Sequence, residues 1–464
     1  MALFFEYYIQ NNDTNLNPVL DTNRFEHVYI TSDIHSDLRK FVQTLVNNGI
    51  IEIKKSDGTA FDPYSKDDIY SPELITNIIW KNNHTLLVII GDLVDGKRSY
   101  TKSGEKFYKQ VDDPEGSFEL RLHMFLYNMR IQAMKHNSEV RFTLGNHDII
   151  SVLYNKNLYI HYVHDTLQIF YQKNHVYKQN SLIPFYKCSP YLYLALQQKG
   201  STQYEIFCVH GGVDSVKNEY GTYEDISWLK IMQKEYINTI QKTNDITTNT
   251  KLSSMFNDGS FAILHDSYLT TNPFYSRMYA SSDVETISQR VKSYRDCEHI
   301  PKNINMLVVG HCITNIGTPK SRLKQFHDSR TIESQCSNKG CIAYGCKKDG
   351  IYRLVFVDTG MAKQNNMFEH SEKNNQNRPI EMLYLQKTEN NRGQGNTYDQ
   401  RRTIAENPGT IQNRESLDTL VKNPQLGGKK ITRKNRLHMK TWRRQKYFAK
   451  RPSKKNKHAR RKSY

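Results

Sequence analysis

Six runs of apolar, β-prone residues lie in the first 360 positions of the chain, and each predicts a strand. Several runs are apolar almost throughout, which is typical of strands whose sheet is covered on both faces. Polar residues follow each run directly, at the end where open α/β sheets tend to place their ligands. The predicted strands are His27–Ile30, Thr85–Ile90, Val140–Leu144, Glu205–Val209, Asn305–Val309 and Tyr352–Val357.

Between the predicted strands lie segments that favour helices. Asp37–Asn48 has the period of an amphipathic helix. Its apolar residues share one side and are Leu38, Phe41, Val42 and Leu45. The segments 51–72 and 96–117 are rich in Lys, Asp, Gly and Ser and predict loops or insertions. Further helices are predicted at Phe118–Lys135, Asp225–Lys242 and Asp283–Tyr294.

Composition divides the 464-residue chain into three parts. Residues 386–428 are dominated by Asn, Gln, Arg, Thr and Gly, which predicts a disordered linker. Residues 429–464 hold 17 Lys and Arg and no Asp or Glu, and they predict a disordered basic arm. The net charge is +18, and the 48 basic and 47 acidic residues before Lys429 nearly cancel. Residues 1–385 are the predicted folded domain.

Cysteine usage and hydropathy predict an intracellular protein with no membrane partner. The seven cysteines are scattered and odd in number, which is not the pattern of a disulfide framework. The first residues lack the features of a signal peptide, and no window approaches the ~18 apolar residues of a membrane span. Cys336, Cys341 and Cys346, with His327 upstream, are either zinc ligands or ordinary loop thiols. Their spacing matches no standard zinc motif, which favours ordinary thiols.

The first five polar motifs after the strands include two carboxylates, an amide oxygen and three imidazoles, which is a ligand set for a pair of metals. A pair of metals about 3.5–4 Å apart can neutralise a phosphate, hold its oxygens and turn bound water into hydroxide. Mixed oxygen and imidazole ligands suit Mn, Fe or Zn better than Mg or Ca. The motifs are Asp33-Ile34-His35, Gly91-Asp92, Gly145-Asn146-His147-Asp148, Val209-His210-Gly211-Gly212, Gly310-His311 and Asp358-Thr359-Gly360. The ordered series predicts a metal-dependent phosphoesterase.

In these motifs the chain resembles the calcineurin-like metallophosphoesterase superfamily, over roughly residues 28–360. The resemblance implies an α/β fold, a four-layer arrangement in which a two-sheet β-sandwich is flanked by helices. It also implies two divalent or trivalent metal ions at the rim of the sandwich, bridged by Asp92. The other implied ligands are Asp33 and His35 for the first metal, and Asn146, His210 and His311 for the second.

The resemblance further implies that His147 protonates the leaving oxygen rather than binding metal. Its implied partner is Asp95, three residues after Asp92. A carboxylate beside an imidazole raises the imidazole's pKa and fixes its tautomer, as a general acid near pH 7 requires.

Local features are similar to the phosphoprotein-phosphatase-like branch of the superfamily, particularly its bacterial (Shewanella-type) members. Cys312 and Ile313 follow His311, where nuclease-like branches have a second histidine two residues on. The segment 272–277, Asn-Pro-Phe-Tyr-Ser-Arg, resembles the Pro-x-x-x-Arg element of that branch. Arg277 is therefore a candidate clamp for the two negative charges of a phosphomonoester.

The chain departs from that branch directly after Asp95. The branch usually has an arginine there, whereas this chain has Gly96 and then Lys97. Arg98 is a second candidate phosphate ligand, reaching the same place through a shifted loop. The departure bears on phosphoprotein specificity more than on hydrolysis.

The basic arm predicts binding to polyanions through counterion release, and its interleaved aromatics can stack on bases. A solvated tail without a partner and a nuclear targeting signal are the alternatives. The pattern Gly-Gly-Lys-Lys-x-Thr-Arg-Lys-Asn-Arg at 427–436 resembles proteins of large nucleocytoplasmic DNA viruses, which implies host cytoplasm, nucleus or virion as the location.

Three functions follow from these patterns. The first is a dinuclear-metal phosphatase for phosphomonoesters, including Ser/Thr or Tyr phosphoproteins, in which metal-bound hydroxide attacks phosphorus and His147 with Asp95 is the acid. The second is a phosphodiesterase or nuclease tethered to nucleic acid by the basic arm. The third is a nucleic-acid-binding or virion structural protein whose site is incidental.

Overall fold

The computed structural model describes sixteen separate parts of the chain. They are residues 16–94, 97–102, 105–110, 118–148, 187, 189, 191–213, 217–218, 221–222, 226–242, 300–311, 343–344, 347–348, 351–358, 382–388 and 397–403. The predicted helix Asp283–Tyr294, Arg277, Asp95, the basic arm and the three cysteines Cys336, Cys341 and Cys346 lie outside these described residues.

A five-stranded sheet contains the strands that precede Asp33, Asp92 and Asn146, and its strands run in the order β19-β18-β2-β5-β8. The strands β2, β5 and β8 are parallel to one another, and β18 and β19 add antiparallel partners. Their bounds are β2 His27–Ser32, β5 Thr85–Ile90, β8 Glu139–Thr143, β18 Met382–Thr388 and β19 Thr397–Thr403.

A six-stranded sheet contains the strands that precede His210 and His311, and its strands run in the order β1-β9-β10-β13-β17-β14. Its central strands β10, β13 and β17 are parallel, and β9 is antiparallel to β10. The bounds are β1 Val19–Asp21, β9 Tyr193–Gln197, β10 Tyr204–Val209, β13 Leu307–Val309, β14 Ala343–Tyr344 and β17 Leu354–Phe356.

Five α-helices and several small elements complete the described fold. The helices are α1 Leu38–Asn47, α2 Lys66–Tyr70, α3 Glu73–Thr76, α4 Phe118–Met134 and α5 Ser227–Lys242, and a 3-10 turn covers Thr22–Arg24. Two-stranded pairs join β3 Ile51–Ile53 to β4 Ile78–Trp80, and β6 Lys97–Lys102 to β7 Glu105–Gln110. Two further pairs are β11 Lys217–Asn218 with β12 Gly221–Thr222, and β15 Lys347–Lys348 with β16 Ile351–Tyr352.

Burial on both faces explains why the central strands are uninterrupted apolar runs. All six residues of β5 are buried, so neither face of its sheet is left to solvent at that strand. Leu87 and Ile89 pack in one core with the apolar side of α1 and with α4. Each fully buried Leu, Ile or Val contributes roughly 1.5–3 kcal/mol by leaving water. The α/β class and the two helix-flanked sheets are therefore confirmed.

The helix α1 begins where the first site loop ends. The Asp37 carboxylate caps it by accepting a hydrogen bond from the Lys40 backbone N–H at 3.2 Å. This cap satisfies one of the backbone donors that the first turn of a helix leaves unpaired. The predicted apolar side, Leu38 to Leu45, is buried. The helix therefore starts shortly after Asp33, and its packing holds the preceding loop in place.

Three segments contain elements that the sequence does not predict. The segment 51–72, predicted as a loop or insertion, contains β3 and α2, and the segment 96–117, predicted in the same way, contains the hairpin of β6 and β7. The predicted linker from residue 386 begins inside β18, and β19 lies wholly within it. In each case the pairing comes from backbone hydrogen bonds that a polar composition does not reveal. The rest of the predicted linker lies outside the described residues.

Candidate metal centre

The six predicted ligands all follow the carboxyl ends of parallel strands. Asp33 follows β2 directly, and His210 follows β10 directly. The other four come within three residues of a strand end and are His35, Asp92, Asn146 and His311. None of the six is more than 9% exposed. Because β10 and β13 belong to one sheet and the other strands to the second, the site lies where the two sheets meet.

Hydrogen bonds join the two halves of the site. The His311 backbone N–H donates to Asp33 Oδ2 at 3.0 Å, across 278 positions of sequence. His210 Nδ1 lies 2.9 Å from the Ile90 carbonyl oxygen, which belongs to the other sheet. The loops after β2 and β5 are also tied together, because Asp33 N–H donates to the Gly91 carbonyl at 3.1 Å. The converging loops therefore form one connected unit.

Four of the six residues hold a left-handed backbone conformation. Their φ angles are 54° at Asp33, 46° at His35, 53° at Asp92 and 62° at His311. Non-glycine residues in this region cost of order 1–3 kcal/mol each, and they persist only where surrounding structure fixes them. Such strain is concentrated at functional sites, and here it turns the side chains of successive loops toward one point.

Close packing around Asp92 requires two glycines. A Cβ atom on Gly145 would lie 2.2 Å from Asp92 Oδ1 and 2.4 Å from the Asp92 backbone nitrogen. A Cβ atom on Gly91 would lie 2.6 Å from Gly145 Cα and from His210 Nδ1. The glycines of the Gly-Asp and Gly-Asn-His-Asp motifs are thus there for space as well as for turning the chain.

Asp92 stands at the centre of two trios of ligand atoms. Its Oδ2 faces His35 Nε2 at 3.6 Å and His147 Nε2 at 3.8 Å. Its Oδ1 faces His210 Nε2 at 3.3 Å. The donor atoms of His35, Asp92 and His147 lie within 4.8 Å of one another, and so do those of Asp92, His210 and His311. One carboxylate is therefore shared between two potential cation positions, as expected of a bridging ligand.

Asp33 and Asn146 extend these two trios. Asp33 Oδ1 lies 3.8 Å from His35 Nε2, and Asn146 Oδ1 lies 3.1 Å from His210 Nε2. The first trio thus gains a second carboxylate, and the second trio gains an amide oxygen. Oxygen and imidazole donors in this combination fit a transition metal such as Mn, Fe or Zn.

Backbone carbonyls fix the tautomers of two imidazoles. His35 Nδ1 lies 3.2 Å from the Val94 carbonyl oxygen, and His210 Nδ1 has the Ile90 carbonyl as its partner. Because a carbonyl oxygen only accepts, Nδ1 carries the hydrogen in both rings. The lone pair of the neutral ring is then on Nε2, the atom that faces Asp92. Both rings are oriented as ligands before any cation arrives.

The electrostatics of the site favour positive charge. Burial opposes the charged form of Asp92, but the neighbouring His210 and His147 hold its pKa well below the usual range. Burial raises the pKa of Asp33. Although burial alone would lower it, the charges of Asp92 and Asp33 raise the pKa of His210 to about 10. The same carboxylate field that retains a proton on His210 would hold a metal cation in its place.

His147 is the most accessible member of the cluster. Its side chain is 15% exposed, against 2% for Asp92. Its backbone N–H donates to Asp92 Oδ1 at 2.9 Å, and its ring stands edge-on to His35 with centroids 4.9 Å apart. His147 is therefore within reach of both the cluster and a molecule arriving from solvent.

The other predicted site residues are placed only in part. Asp95 and Arg277 lie outside the described residues. Arg98 lies in β6, where the strand register sets it opposite Lys109 of β7, and only its backbone is described. The sequence predicts no role for Asp148, although it belongs to the Gly-Asn-His-Asp motif. Its carboxylate accepts hydrogen bonds from three backbone N–H groups of the site loops.

A family model of the calcineurin-like phosphoesterases matches residues 26–311, which is more than half of the chain. The chain therefore belongs to the calcineurin-like phosphoesterase family, as its motifs predict. It is a metal-dependent hydrolase of phosphoric esters. The matched segment begins just before β2 and ends at His311, so it spans all six predicted ligands.

Solved structures to which the chain is similar include two of a cold-active protein-tyrosine phosphatase. One, from a psychrophilic Shewanella species, is 15% identical, with a TM-score of 0.42, and the match covers 84% of this chain and 80% of that one. The second, described as a new structure at 1.1 Å, is 14% identical, with a TM-score of 0.43 and coverage of 85% and 81%. No curated protein matches the chain.

Among the residues that the structure describes, no helix is both long enough and apolar enough to cross a membrane.

Proposed function

We propose that the chain hydrolyses phosphomonoesters with two metal ions at the centre formed around Asp92. The proposed ligands are Asp33, His35, Asp92, Asn146, His210 and His311. The observation that carries the proposal is that each oxygen of Asp92 faces a different set of imidazoles. Bound metals of the Mn, Fe or Zn type supply charge neutralisation, hold the phosphoryl oxygens and activate water.

The proposed general acid is His147. Its Nε2 lies beside the cluster while part of its side chain remains exposed, so it can reach the oxygen of a departing alcohol. A protonated imidazole at that position donates the proton that a departing alkoxide needs. Asp95, close to Asp92 in sequence, is the proposed partner that orients His147.

The proposed substrate class is the phosphomonoester, including phosphoproteins. The sequence has Cys312 and Ile313 after His311, so the second histidine of nuclease-like relatives is missing. A phosphomonoester carries nearly two negative charges, and Arg277 and Arg98 are the proposed residues that bind it. Arg98 follows Asp92 by six residues in the sequence, which is the ground for proposing it.

A phosphodiesterase or nuclease is the second candidate. The observation in its favour is the basic arm, whose 17 positive charges between residues 429 and 464 would concentrate the enzyme on nucleic acid. The departure at Gly96 also removes one arginine typical of phosphoprotein phosphatases. The two candidates share the metal centre and differ in the ester that they cleave.

Comparing p-nitrophenyl phosphate with bis-p-nitrophenyl phosphate, with Mn²⁺ added and metal content measured, distinguishes the candidates. The first proposal expects two metals per chain and faster cleavage of the monoester. Faster cleavage of the diester would favour the second candidate. A protein that binds metal and cleaves neither ester with Mn²⁺, Fe²⁺ or Zn²⁺ would contradict both.

Removal of residues 429–464 tests the arm by itself. Because the remaining chain has nearly equal basic and acidic content, we expect binding to nucleic acid to be lost. Hydrolysis of the small monoester should stay within about twofold of the full chain. Binding measured at two salt concentrations checks the electrostatic origin, since counterion release makes the affinity fall steeply with salt.

A further inference from the structure

Asp148 is a fully buried carboxylate beside the metal centre and is not one of the proposed ligands. It is 0% exposed, and it follows Asn146 by two residues. A buried carboxylate is costly unless hydrogen bonds or a cation compensate its charge. The contacts of Asp148 therefore show what keeps it in the interior.

Three backbone N–H groups donate to the two oxygens of Asp148. Oδ2 accepts from the Asp92 N–H at 2.7 Å and from the Gly145 N–H at 2.8 Å. Oδ1 accepts from the Leu93 N–H at 3.0 Å. Bonds between backbone N–H groups and a carboxylate are shorter and about twice as strong as neutral ones. Both oxygens are thus committed to backbone donors.

The three donors come from two different ligand loops. Asp92 and Leu93 belong to the loop after β5, and Gly145 belongs to the loop after β8. The contact with Asp92 spans 56 positions of sequence. This hydrogen bond is made to the backbone of Asp92, whose φ of 53° is left-handed. The carboxylate of Asp92 belongs to both trios of donors. Asp148 therefore acts at the point where a shift would misplace both cation positions together.

We propose that Asp148 is a positioning residue that holds the Asp92 loop against the Gly145 loop, so that one carboxylate serves two metals. This inference rests on the proposed function, because it takes Asp92 to be the bridging ligand. Residues that orient a metal ligand from behind change metal affinity by about 10–100-fold when they are lost. Since Asp92 is shared, loss of Asp148 weakens both metal-binding steps.

The test is Asp148→Asn in the full chain, with binding of Mn²⁺ measured by calorimetry and stability measured with chelator present. The asparagine amide keeps one acceptor oxygen and turns its NH₂ group either toward the Leu93 N–H or toward the N–H groups of Asp92 and Gly145, so at least one backbone donor loses its acceptor. We expect both Mn²⁺ affinities to fall by roughly 10–100-fold. His311→Ala, which removes one ligand of one trio, should weaken one step much more than the other.

Glu139→Gln is the matched control, because Glu139 is a buried carboxylate at the opposite end of β8, bonded to Arg141 at 2.6 Å. It should lower the unfolding temperature and leave both Mn²⁺ affinities unchanged. Equal weakening in Glu139→Gln and Asp148→Asn would attribute the effect to general destabilisation and overturn the inference. If Asp148→Asn does not fold, Asp148→Ser, which places no NH₂ group in the interior, takes its place.

The possible outcomes distinguish failure of the proposed function from failure of the positioning role of Asp148. A wild-type chain that takes up none of Mn²⁺, Fe²⁺ and Zn²⁺ contradicts the proposed function together with this inference. A wild-type chain that binds two Mn²⁺, with an Asp148→Asn variant whose affinities stay within about twofold, overturns the positioning role alone. A loss confined to one of the two steps also overturns it, because the role assigned to Asp148 acts through the shared Asp92.

Discussion

The two ends of β8 place buried carboxylates in opposite electrostatic surroundings. At the start of the strand, Glu139 Oε2 accepts from Arg141 Nε at 2.6 Å, and Oε1 is bonded to Arg24. Near the other end, Asp92, in the loop after the neighbouring strand β5, is faced by imidazoles and has a second carboxylate, Asp33, nearby. Guanidinium groups are always charged, whereas imidazoles are charged only when protonated. The first cluster therefore has permanent positive partners among its own side chains, whereas the second depends on protons or cations.

This difference indicates which cluster is built for an external cation. Glu139 has a permanent positive partner on each oxygen, and Arg141 is held further by the Tyr191 hydroxyl. At the other end, positive charge must come from protons on the imidazoles or from metal ions. The backbone gives the same contrast, because the left-handed residues Asp33, Asp92 and His311 lie at the second end. Strain and negative charge that depends on protons or cations for its compensation together mark the functional end of the strand.

Removal of one charge at each end gives the largest expected difference. Asp92→Asn takes the shared carboxylate from both trios, so we expect metal binding and ester hydrolysis to fall by more than the roughly 10–100-fold typical of supporting residues. Glu139→Gln makes the same chemical change and should leave hydrolysis within about twofold. Metal content and initial rates with p-nitrophenyl phosphate measure both. Undiminished turnover by Asp92→Asn would contradict the whole assignment of the site.

Filling the space beside Asp92 is expected to have the next largest effect. A methyl group in Gly145→Ala would lie 2.2 Å from Asp92 Oδ1, so the loop must shift at a cost of about 1–3 kcal/mol. The shift moves the shared carboxylate of Asp92. We therefore expect both the Mn²⁺ affinity and the free energy of unfolding to fall. Calorimetric binding and urea unfolding measure the two quantities.

Gly200→Ala is the control for that substitution. Gly200 has a φ of 84°, and a methyl group added there would meet no atom within 4 Å, so alanine causes only backbone strain of about 1–2 kcal/mol. Stability should fall while Mn²⁺ affinity is unchanged. Retention of full metal affinity in Gly145→Ala would show that the close approach at Asp92 does not set the geometry of the centre.

The parts of the fold that are predictable from sequence are those where burial dictates composition. The predicted bounds of β5 agree with the structure because all six of its residues are buried and all but the first are apolar. The hairpin of β6 and β7 is missed, because its register pairs charged residues such as Arg98 and Lys109 and no apolar run marks it. Likewise β19 is an edge strand that pairs with β18 alone among the described strands, and its polar sequence, TYDQRRT, gives no periodic signal.

The candidate site also contains residues that are predictable from the sequence and residues that are not. The structure brings together all six predicted ligands, because short motifs at strand ends carry both the turn and the donor atoms. Asp148 has no predicted role, since its three partners are backbone groups, two of them more than 50 positions away. A side chain that binds backbone leaves no complementary residue to find in the sequence. The metal-binding roles of these six residues, and the roles of His147, Asp95, Arg98 and Arg277, remain predictions.

At the start of β8, the expected effects are on stability. Glu139→Gln leaves the Arg141 guanidinium, whose side chain is 4% exposed, with one charged partner fewer. Breaking a buried ion pair costs about 3–5 kcal/mol, and the remaining amide oxygen places the expected loss near the lower limit. Thermal unfolding with and without chelator measures it. A loss of stability that vanishes when metal is removed would connect the two ends and contradict their independence.

Removal of the exposed partner at the same end should have the smallest effect. The Arg24 side chain is 51% exposed, so its ion pair with Glu139 is screened by water, and pairs of this kind contribute about 0–1 kcal/mol. Arg24→Gln should therefore lower the free energy of unfolding by no more than that, whereas Arg141→Gln, at the buried partner, should cost several times as much. Urea unfolding of the two variants at low and high salt measures the difference. If Arg24→Gln were as costly as Arg141→Gln, Glu139 would depend on both guanidinium groups equally. Arg141 alone would then not compensate the negative charge of Glu139. The electrostatic surroundings of Glu139 and Asp92 would differ only in degree.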